Sequence, residues 1–427
     1  MAEDSAHSGD GGHFVPQVFS ALVVERFGKS GVTSRIVEDY KVDDLPADGM
    51  TVKVSHAGLT FHDAMVVQGC SGAVRDYPIV PGTDLAGTVL CVDEDAEQAG
   101  FRVGDRIVAT GGELGQSRSG GFSQIARVPA KLAWKLPTTM DNMKAAQLGT
   151  AAMTAALACM EIERGDLAAS LTLSSTCHQA GRRSISDNSK IPEEKEQLNY
   201  DDVEGSGEQE GDASSNRRSQ VNEMGKKIKK KNKKTKKKKY RGSVLVSGAS
   251  GSVGSFVTCL LVARGYRVVA VTRHLEKQNR LYRFGAHSTI ILEDFLAECS
   301  EDGDLGIETY VGVVDMLGEG FTNACLPRLS RGGVCVSLGA LCGPIASIPM
   351  APFVRRGVRL VGVDSRYVSH ALRCAAWEQL AKYVPWDLLE AEKDSFTTAT
   401  LAQIQPLSGR KLSSGAAPVS TIIVLPK

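Results

Sequence analysis

Three glycines spaced three residues apart, Gly248, Gly251 and Gly254, form the pattern in this 427-residue chain that most directly suggests chemistry. A short run of β-favouring residues precedes them and an apolar run that ends at Leu261 follows, which predicts a strand, a tight turn and a helix. Such a turn lets backbone N–H groups approach a pyrophosphate, and the positive end of the helix faces the phosphate charge. We therefore predict a dinucleotide site formed by Gly248, Ser250, Gly251, Ser252, Val253 and Gly254.

The end of the next predicted strand, Arg267–Thr272, bears on which dinucleotide binds. An NAD site usually places Asp or Glu here to accept a hydrogen bond from the ribose 2′-hydroxyl, but this chain has Thr272 and Arg273. A hydroxyl and a guanidinium suit a 2′-phosphate, because Arg offers several donors to phosphate oxygens. NADPH is the predicted cofactor, with a solvated Arg273 at a helix start as the alternative.

The elements that must hold this turn follow from a regular alternation of strands and helices after residue 242. Strands are predicted at 243–247, 267–272, 288–292, 311–315, 333–338 and 358–363, which indicates an α/β fold with a doubly wound parallel sheet. From Phe19 to about Lys135 the chain instead carries short alternating runs broken by Gly, Pro and Asp, which is typical of a β-rich domain. The chain is predicted to return to that domain near its end and to close with a strand at 420–425.

A long polar insertion, from about Ala168 to Arg241, interrupts this alternation. Its middle is acidic and its end, Lys226–Lys239, has 11 lysines in 14 residues. Such blocks bury little apolar surface, so the insertion is predicted to be disordered. Two interpretations stay open. It is either a tolerated surface loop, since lengthening a loop costs only about 0.6 kcal/mol per doubling, or a nuclear address or RNA-binding arm.

The composition bears on partners and location. The formal net charge of +1 predicts no overall attraction to nucleic acid or membrane. The chain has no run of 18 apolar residues, so no transmembrane helix is predicted, and its acidic, polar start predicts neither a secretory nor a mitochondrial signal. The ten cysteines include no C-x-x-C pair, which favours free thiols over disulfides or a structural zinc lobe. The expected location is the cytoplasm, with the nucleus as the alternative through the lysine-rich run.

An ordered set of short motifs spans nearly the whole chain from about residue 19, except for the insertion. It comprises Tyr77-Pro-x-x-Pro-Gly-x-Asp-x-x-Gly87, Gly104-Asp-Arg106, Gly120-Gly-Phe122, Leu148-Gly-Thr-Ala151, the glycine turn, Gly332-Gly-Val-Cys-Val-Ser-Leu-Gly339, Arg359-Leu-Val-Gly-Val-Asp-Ser365 and Gly409-Arg-Lys-Leu412. With these motifs the chain resembles the medium-chain dehydrogenase/reductase superfamily. Within it, the chain is most similar to the zinc-free quinone oxidoreductase branch and its acryloyl-CoA reductase-type members.

The resemblance implies a Rossmann domain with a doubly wound parallel sheet and a GroES-like β-rich catalytic domain. The expected organisation is a disordered N-terminus at 1–18, the first part of the catalytic domain at 19–145, the NADP-binding domain at 146–363 with the insertion at 168–241, and a return to the catalytic domain at 364–427. Homodimerisation is also a family expectation.

Zinc ligands are the next point of comparison. Alcohol dehydrogenases of this superfamily hold catalytic zinc with a Cys, a Gly-His-Glu segment and a later ligand. At the corresponding places this chain has Thr60-Phe-His62-Asp63 and Pro81-Gly-Thr-Asp84, and the four-cysteine lobe is missing. We therefore expect no metal.

Without metal, the resemblance implies hydride transfer from NADPH to an electron-poor double bond. The substrate would be a quinone or an α,β-unsaturated carbonyl compound, with acryloyl-CoA or another enoyl thioester as a candidate. The protein must orient the reacting carbons, offer donors to the carbonyl oxygen and exclude water. The alternative is a nucleotide-binding scaffold with reduced catalysis, which contacts RNA or a nuclear partner through Lys226–Lys239.

The residues expected to carry this chemistry are given by the resemblance. Relatives often have Asn-Tyr where this chain has Thr60-Phe61, so Thr60 and His62 are the candidate catalytic substitutes, with water or substrate as the other proton source. Thr150 matches a motif near the nicotinamide and would serve as a further catalytic residue or as a helix cap. The remaining candidates are Thr272, Arg273, Gly339, Phe353 and Arg410 for the cofactor and Arg75 for an anionic part of the substrate; Arg75 and Arg410 are equally open to a reading as solvated charges. No membrane contact is expected.

Overall fold

The computed structural model describes residues 15–28, 31–70, 72–74, 76–177, 240–298, 305–391, 396–414 and 420–425. The predictions for Arg75 and for the lysine-rich run Lys226–Lys239 lie outside these residues. The chain divides into two units, one of Met1–Leu171 with Tyr240–Lys427 and one of Thr172–Lys239. Everything below concerns the first unit, apart from the end of one helix.

The elements follow in chain order. The first part contains strands β1 (Val18–Phe27), β2 (Gly31–Lys41), β3 (Met50–Gly58), β4 (Asp84–Cys91), β5 (Arg106–Thr110), β6 (Ile125–Val128) and β7 (Ala133–Lys135), and helices α1 (Phe61–Val67), α2 (Glu94–Gln98) and α3 (Asn142–Cys177). The middle part contains strands β8 (Ser243–Val246), β9 (Arg267–Thr272), β10 (Ser288–Ile291), β11 (Tyr310–Asp315), β12 (Leu329–Ser337) and β13 (Arg359–Gly362), and helices α4 (Ser252–Ala263), α5 (Gln278–Arg283), α6 (Leu292–Ala297), α7 (Glu319–Cys325) and α8 (Ala351–Arg356). The last part contains α9 (His370–Tyr383), α10 (Trp386–Ala391), β14 (Phe396–Ala399), α11 (Ile404–Ser414) and β15 (Ser420–Val424).

Two main sheets confirm the predicted fold class. The strands of the middle part form a parallel sheet in the order β10-β9-β8-β11-β12-β13, which is the doubly wound arrangement. The other sheet has the order β14-β15-β3-β4-β5-β7, with β6 paired to β3, and most of its neighbours are antiparallel. The last strand thus returns to the β-rich sheet, as the sequence predicts.

Helix α3 extends further than the sequence predicts. It continues to Cys177, beyond residue 168, where the sequence places the start of the insertion. Its Asn142–Asp166 part is long and apolar enough to cross a membrane, with a mean hydropathy of 1.2 over its most apolar 18 residues, but 72% of that stretch is buried inside the fold. The segment is therefore a core helix, against which buried side chains of both sheets pack.

An ionic clasp joins the two points at which the chain leaves and re-enters the Rossmann domain. Arg241 lies 3.1 Å from a carboxylate oxygen of Glu163 and 3.2 Å from one of Asp166. The hydroxyl of Tyr266 donates to the same Asp166 carboxylate at 3.1 Å, and the Arg241 guanidinium lies 4.8 Å from the centre of the Tyr266 ring. These contacts hold the turn of α3 that contains Glu163 and Asp166 next to the residues that precede β8.

Candidate functional site

The glycine turn between β8 and α4 has the geometry of an anion cradle. Gly248 has φ of 55°, a left-handed conformation that favours glycine. A Cβ at Gly254 would lie 2.3 Å from the carbonyl oxygen of Gly248, so only glycine lets the helix approach the turn this closely. Gly251 is the N-cap of α4 and no side chain caps the helix. The first N–H groups of α4 are thus left for another acceptor, as a pyrophosphate would require.

The end of β9 adjoins this turn. The hydroxyl oxygens of Ser250 and Thr272 lie 3.1 Å apart, and Thr272 Oγ1 accepts a hydrogen bond from the backbone N–H of His274 at 3.0 Å. Thr272 is buried, so its hydroxyl shapes the turn rather than facing solvent. The side chain of Arg273 is exposed. Of the two residues proposed for a 2′-phosphate, Arg273 is therefore the one free to reach it.

The other predicted cofactor residues fall in different places. Gly339 follows β12, and a Cβ there would lie 3.0 Å from the carbonyl oxygen of Met316, whose side chain flanks Gly248. Phe353 lies on α8 and packs against an apolar cluster of the parallel sheet. Arg410 is exposed on α11. The structure brings Gly339 to the edge of the glycine turn, places Phe353 in the packing of the sheet and leaves Arg410 at the surface.

A buried carboxylate, Asp63, organises the start of α1. Its oxygens accept hydrogen bonds from the backbone N–H groups of Gly82 and Thr83 at 3.1 and 2.9 Å and from the Thr83 hydroxyl at 3.2 Å. Thr60, the N-cap of α1, donates to it from both its N–H at 2.9 Å and its hydroxyl at 2.6 Å. The predicted catalytic residue Thr60 is thus held by a capping box.

A second buried carboxylate, Asp84, meets the break in α3. Gly149 has φ of 51° and divides the helix, and a Cβ there would collide with the Asp84 carboxylate at 2.4 Å. The N–H of Thr150 donates to Asp84 Oδ2 at 2.7 Å, and the Thr150 hydroxyl donates to Oδ1. Burial raises the pKa of Asp84 to about 7, and the hydrogen bonds from Thr150 oppose this shift.

Three positively charged or titratable side chains surround these carboxylates. The guanidinium of Arg373 is fully buried, and burial lowers its pKa, while the charge of Asp84 partly offsets the effect. It donates to the Thr110 hydroxyl at 3.0 Å. Burial likewise lowers the pKa of the Lys411 ammonium on α11, against the charges of Asp63 and Asp84. Burial lowers the pKa of His62 as well, with Asp63 opposing.

His62 differs from Thr60 in its surroundings. Its Nε2 is buried without a hydrogen-bond partner among the described residues. The lowered pKa favours the neutral imidazole at pH 7, and the nearby Arg366 charge contributes to that lowering. His62 is therefore placed to hydrogen-bond a ligand, but its charged form is disfavoured.

The residues around Thr150 and the glycine turn lie at the same edge of the parallel sheet. Ser365, just after the carboxyl end of β13, accepts a hydrogen bond at 2.8 Å from Thr154, one turn beyond Thr150 on α3. The glycine turn follows the carboxyl end of β8, which lies at the same edge because the strands are parallel. Ligands of open α/β sheets bind at this edge, so the Thr150 cluster and the turn both lie on the side of the sheet where a dinucleotide and its substrate would bind.

Sequence reasoning missed Asp63, Asp84 and Lys411 as parts of this site. A signal for the first was present, because Thr60-x-x-Asp63 has the spacing of a capping box. Asp84 stands in the Pro-Gly-x-Asp motif at the start of a buried strand, where an acid needs hydrogen-bond partners. Lys411 had no local signal. Within the described part of the chain, no three His, Cys, Asp or Glu side chains group as metal ligands.

Comparison with known proteins agrees with this geometry. Residues 46–138 match the alcohol dehydrogenase GroES-like domain, and residues 252–382 match the zinc-binding dehydrogenase family. The acrylyl-CoA reductase AcuI of Ruegeria pomeroyi is 30% identical over 374 residues, covering 88% of this chain and 90% of the relative. YhfP of Bacillus subtilis, which is named as a quinone oxidoreductase, is 29% identical over 375 residues. The match covers 87% of this chain and 89% of YhfP.

Solved structures show the same fold. The structure of YhfP with NAD bound has a TM-score of 0.71 at 27% identity, covering 96% of this chain and 100% of YhfP. The YhdH oxidoreductase of Salmonella enterica, solved in complex with NADP, has a TM-score of 0.71 at 24% identity, with 96% of this chain and 100% of the other covered. Taken with the two sheets, the glycine turn and the AcuI relative, these likenesses establish that the chain is an oxidoreductase of the medium-chain dehydrogenase/reductase superfamily, in the branch that includes quinone oxidoreductases and acrylyl-CoA reductases.

Proposed function

We propose that this chain is a zinc-independent, NADPH-dependent oxidoreductase that reduces quinones or α,β-unsaturated carbonyl compounds, with enoyl thioesters such as acryloyl-CoA among the candidates. The observation that carries the proposal is the cluster of hydroxyls and carboxylates around Thr150 at the carboxyl edge of the sheet that bears the uncapped glycine turn. The names of AcuI and YhfP supply the substrate classes.

The cofactor fits the residues present. The uncapped start of α4 and the close approach enforced by Gly254 suit a pyrophosphate. The exposed Arg273 suits a 2′-phosphate. The dinucleotide would therefore be held by Gly248, Ser250, Gly251, Ser252, Val253 and Gly254, with Arg273 at its ribose and Gly339 at the edge of the turn. When bound, NADPH supplies the hydride for the reduction.

The chain's own residues would orient the substrate and stabilise charge on its carbonyl oxygen. Thr150 and the unpartnered His62 Nε2 are the groups proposed to hydrogen-bond that oxygen, and one well-placed donor is worth about 3 kcal/mol of barrier. Thr60 keeps its capping bonds to Asp63 and positions His62. Zinc independence rests on the residues at the ligand positions, since Thr60 and Thr83 stand where a Cys and a His would be required.

NADPH oxidation by the purified protein tests this function. The panel is 9,10-phenanthrenequinone, 1,4-benzoquinone, a simple enone and acryloyl-CoA, with NADH as the cofactor control. Turnover of one class with NADPH preferred is the expected result. Gly251→Asp should abolish NADPH binding by placing a carboxylate against the pyrophosphate, whereas the isosteric Gly251→Asn should retain more of it. Equal NADPH affinity in both variants would refute the assignment of the turn.

Homodimerisation is proposed as well. Strand β13 lies at the edge of the parallel sheet, and nearby apolar side chains are exposed, with Leu341 at 72%, Ile345 at 79% and Val354 at 80%. Exposed apolar groups beside an unpaired edge typically mark an interface. Light scattering after size exclusion should give twice the chain mass, and Val354→Asp should shift it to the monomer.

The lysine-rich run supports a second candidate, in which the chain is a nucleotide-binding scaffold that contacts RNA or a nuclear partner. Eleven lysines within Lys226–Lys239 would release counterions from RNA, so binding should fall with salt with a log–log slope of roughly −0.7 per phosphate contacted. Deletion of residues 222–240 should remove RNA binding and leave NADPH affinity intact. NADPH binding without turnover of any substrate would favour this candidate.

A further inference from the structure

The proton that must accompany the hydride has no evident donor among the aromatic residues of the site. Phe61 at the start of α1 is 55% exposed and carries no ionisable proton. The neutral state favoured at His62 makes that imidazole a weak acid. The proton donor must therefore be another group of the cluster around Thr150.

Asp84 and Thr150 are arranged as two links of a proton path. The Asp84 carboxyl is buried and receives hydrogen bonds from Thr150, which is partly exposed, and from the backbone of Gly111. The backbone N–H of Thr150 occupies Asp84 Oδ2 at 2.7 Å and so reserves that oxygen as an acceptor. The proton of a neutral Asp84 therefore falls on Oδ1, the oxygen that faces Thr150 Oγ1.

The direction of the Oδ1–Oγ1 hydrogen bond depends on the protonation of Asp84. When Asp84 is ionised, the Thr150 hydroxyl must donate to it, and its proton is not available to a ligand. When Asp84 is neutral, its carboxyl donates to Thr150 Oγ1, and the Thr150 proton is released for another acceptor. Only the neutral form thus offers a hydroxyl proton to a ligand.

We infer that Asp84 and Thr150 form a proton relay to the carbonyl oxygen of the substrate, an inference that rests on the proposed function. With the hydride that a bound NADPH would supply, a C–H bond would form at the β-carbon of the substrate while the carbon–carbon π bond breaks, and its electron pair would move through the conjugated system to the carbonyl oxygen. That oxygen takes the Thr150 proton as Thr150 Oγ1 takes the proton of Asp84. Asp84 is left as a carboxylate and regains a proton from water through Thr150 after the product leaves.

Charged groups on three helices, α1, α9 and α11, interact with this carboxyl. Asp63 at the start of α1 raises its pKa, and burial is the largest cause of the shift. Arg373 on α9 and Lys411 on α11 lie close enough to interact with it electrostatically. The relay acid is protonated below a pKa of about 7 and ionised above it, so turnover should fall as the pH rises through this value.

The test compares kcat as a function of pH in the wild-type chain and in relay variants. Asp84→Asn and Thr150→Val should lower kcat about 100-fold and should remove the decline near pH 7. Thr150→Ser keeps the hydroxyl and should restore both kcat and the decline. Thr322→Val is the matched control, because Thr322 donates at 2.6 Å to the buried Asp315 in the parallel sheet. It should leave the shape of the profile unchanged.

A second measurement does not depend on turnover. Infrared difference spectroscopy of the chain without cofactor should show a protonated carboxyl band that titrates near pH 7 and is missing in Asp84→Asn. If the profile near pH 7 persists in Asp84→Asn and Thr150→Val, or if no such band exists, the relay is refuted and Asp84 serves only to hold α3. If the wild-type chain reduces no substrate, the proposed function fails, while the infrared titration still reports on Asp84.

Discussion

The carboxylate of Asp63 accepts hydrogen bonds from both the N–H and the hydroxyl of Thr60, at 2.9 and 2.6 Å, while it also binds the turn before β4. A single buried acid thus fixes a helix start and the loop across from it. Because α1 carries His62 and β4 begins at Asp84, this acid determines where the other candidate residues lie.

Replacing Asp63 by Asn should destabilise the fold markedly. An amide offers one acceptor oxygen in place of two, so at least one donor among Gly82, Thr83 and Thr60 is left unsatisfied, at about 1–3 kcal/mol each. Urea unfolding measures the loss. Asp39→Asn on the exposed face of β2 is the control and should change the free energy of unfolding by less than about 0.5 kcal/mol. A loss in Asp63→Asn no larger than in the control would contradict the structural role.

The elevated pKa of Asp84 has a consequence for stability. The native chain holds this proton up to about pH 7, whereas an unfolded Asp releases it near 3.8. The contribution to stability is therefore fully present below the unfolded value and is lost as the pH rises from there to about 7, by at most about 1.4 kcal/mol per pH unit. Asp84→Asn should abolish this contribution.

The measurement is urea unfolding of wild-type and Asp84→Asn chains between pH 4 and 8. The half-buried His56 and His62, whose pKa values are lowered by burial, are present in both chains, and their contribution cancels in the difference between the two free energies of unfolding. As the pH rises through this range, the free energy of unfolding of the wild-type chain should decrease relative to that of the variant. A difference independent of pH would mean that Asp84 is ionised throughout.

Gly254→Ala should impair both folding and cofactor binding. The new Cβ would lie 2.3 Å from the Gly248 carbonyl oxygen and 2.6 Å from Ala249 Cα, so α4 must move away from the turn. The matched control is Gly320→Ala on α7, where a Cβ meets nothing within 4 Å. Thermal unfolding and NADPH fluorescence titration would show a lower midpoint and weaker affinity in the first variant only. Unchanged NADPH affinity in Gly254→Ala would place the cofactor elsewhere.

Arg273→Ala should alter the choice of cofactor without altering the fold. The exposed guanidinium is proposed to bind the 2′-phosphate, so its removal should raise the KM for NADPH at least tenfold. The KM for NADH should stay the same, because NADH lacks that phosphate. An equal rise for both cofactors would show that Arg273 acts on a part that they share, and no rise for either would remove it from the site.

The parallel sheet could be predicted because its signals are local. The strands near Val246, Thr272 and Asp315 are short apolar runs bounded by turn residues, and the structure confirms them within a residue or two. The glycine turn could also be predicted, because the close approach of the backbone requires glycines at a fixed spacing. Strand β12 begins at Leu329 rather than at the predicted residue 333, because two glycines within it conceal its start.

The carboxylates of the candidate site could not be predicted as a group. Asp63 bonds to residues 19 and 20 positions away, and Asp84 to a residue 66 positions away, so their roles exist only after both sheets are assembled. The sequence proposed Thr60, His62 and Thr150 through a resemblance, and Thr150 does follow the break in α3 at Gly149, where a helical segment begins. It could not show that the hydroxyls of Thr60 and Thr150 are held by buried acids.

The clasp between Arg241, Glu163 and Asp166 bears on how this chain could have acquired its insertion. Because Arg241 is anchored to Glu163 and Asp166, the residues before β8 are held against α3 by contacts that do not involve the segment between them. Natural selection for cofactor binding would then place few restraints on that segment, and a new sequence could be accepted there in a single event. The same position offers an engineering site where a reporter domain could replace the native segment.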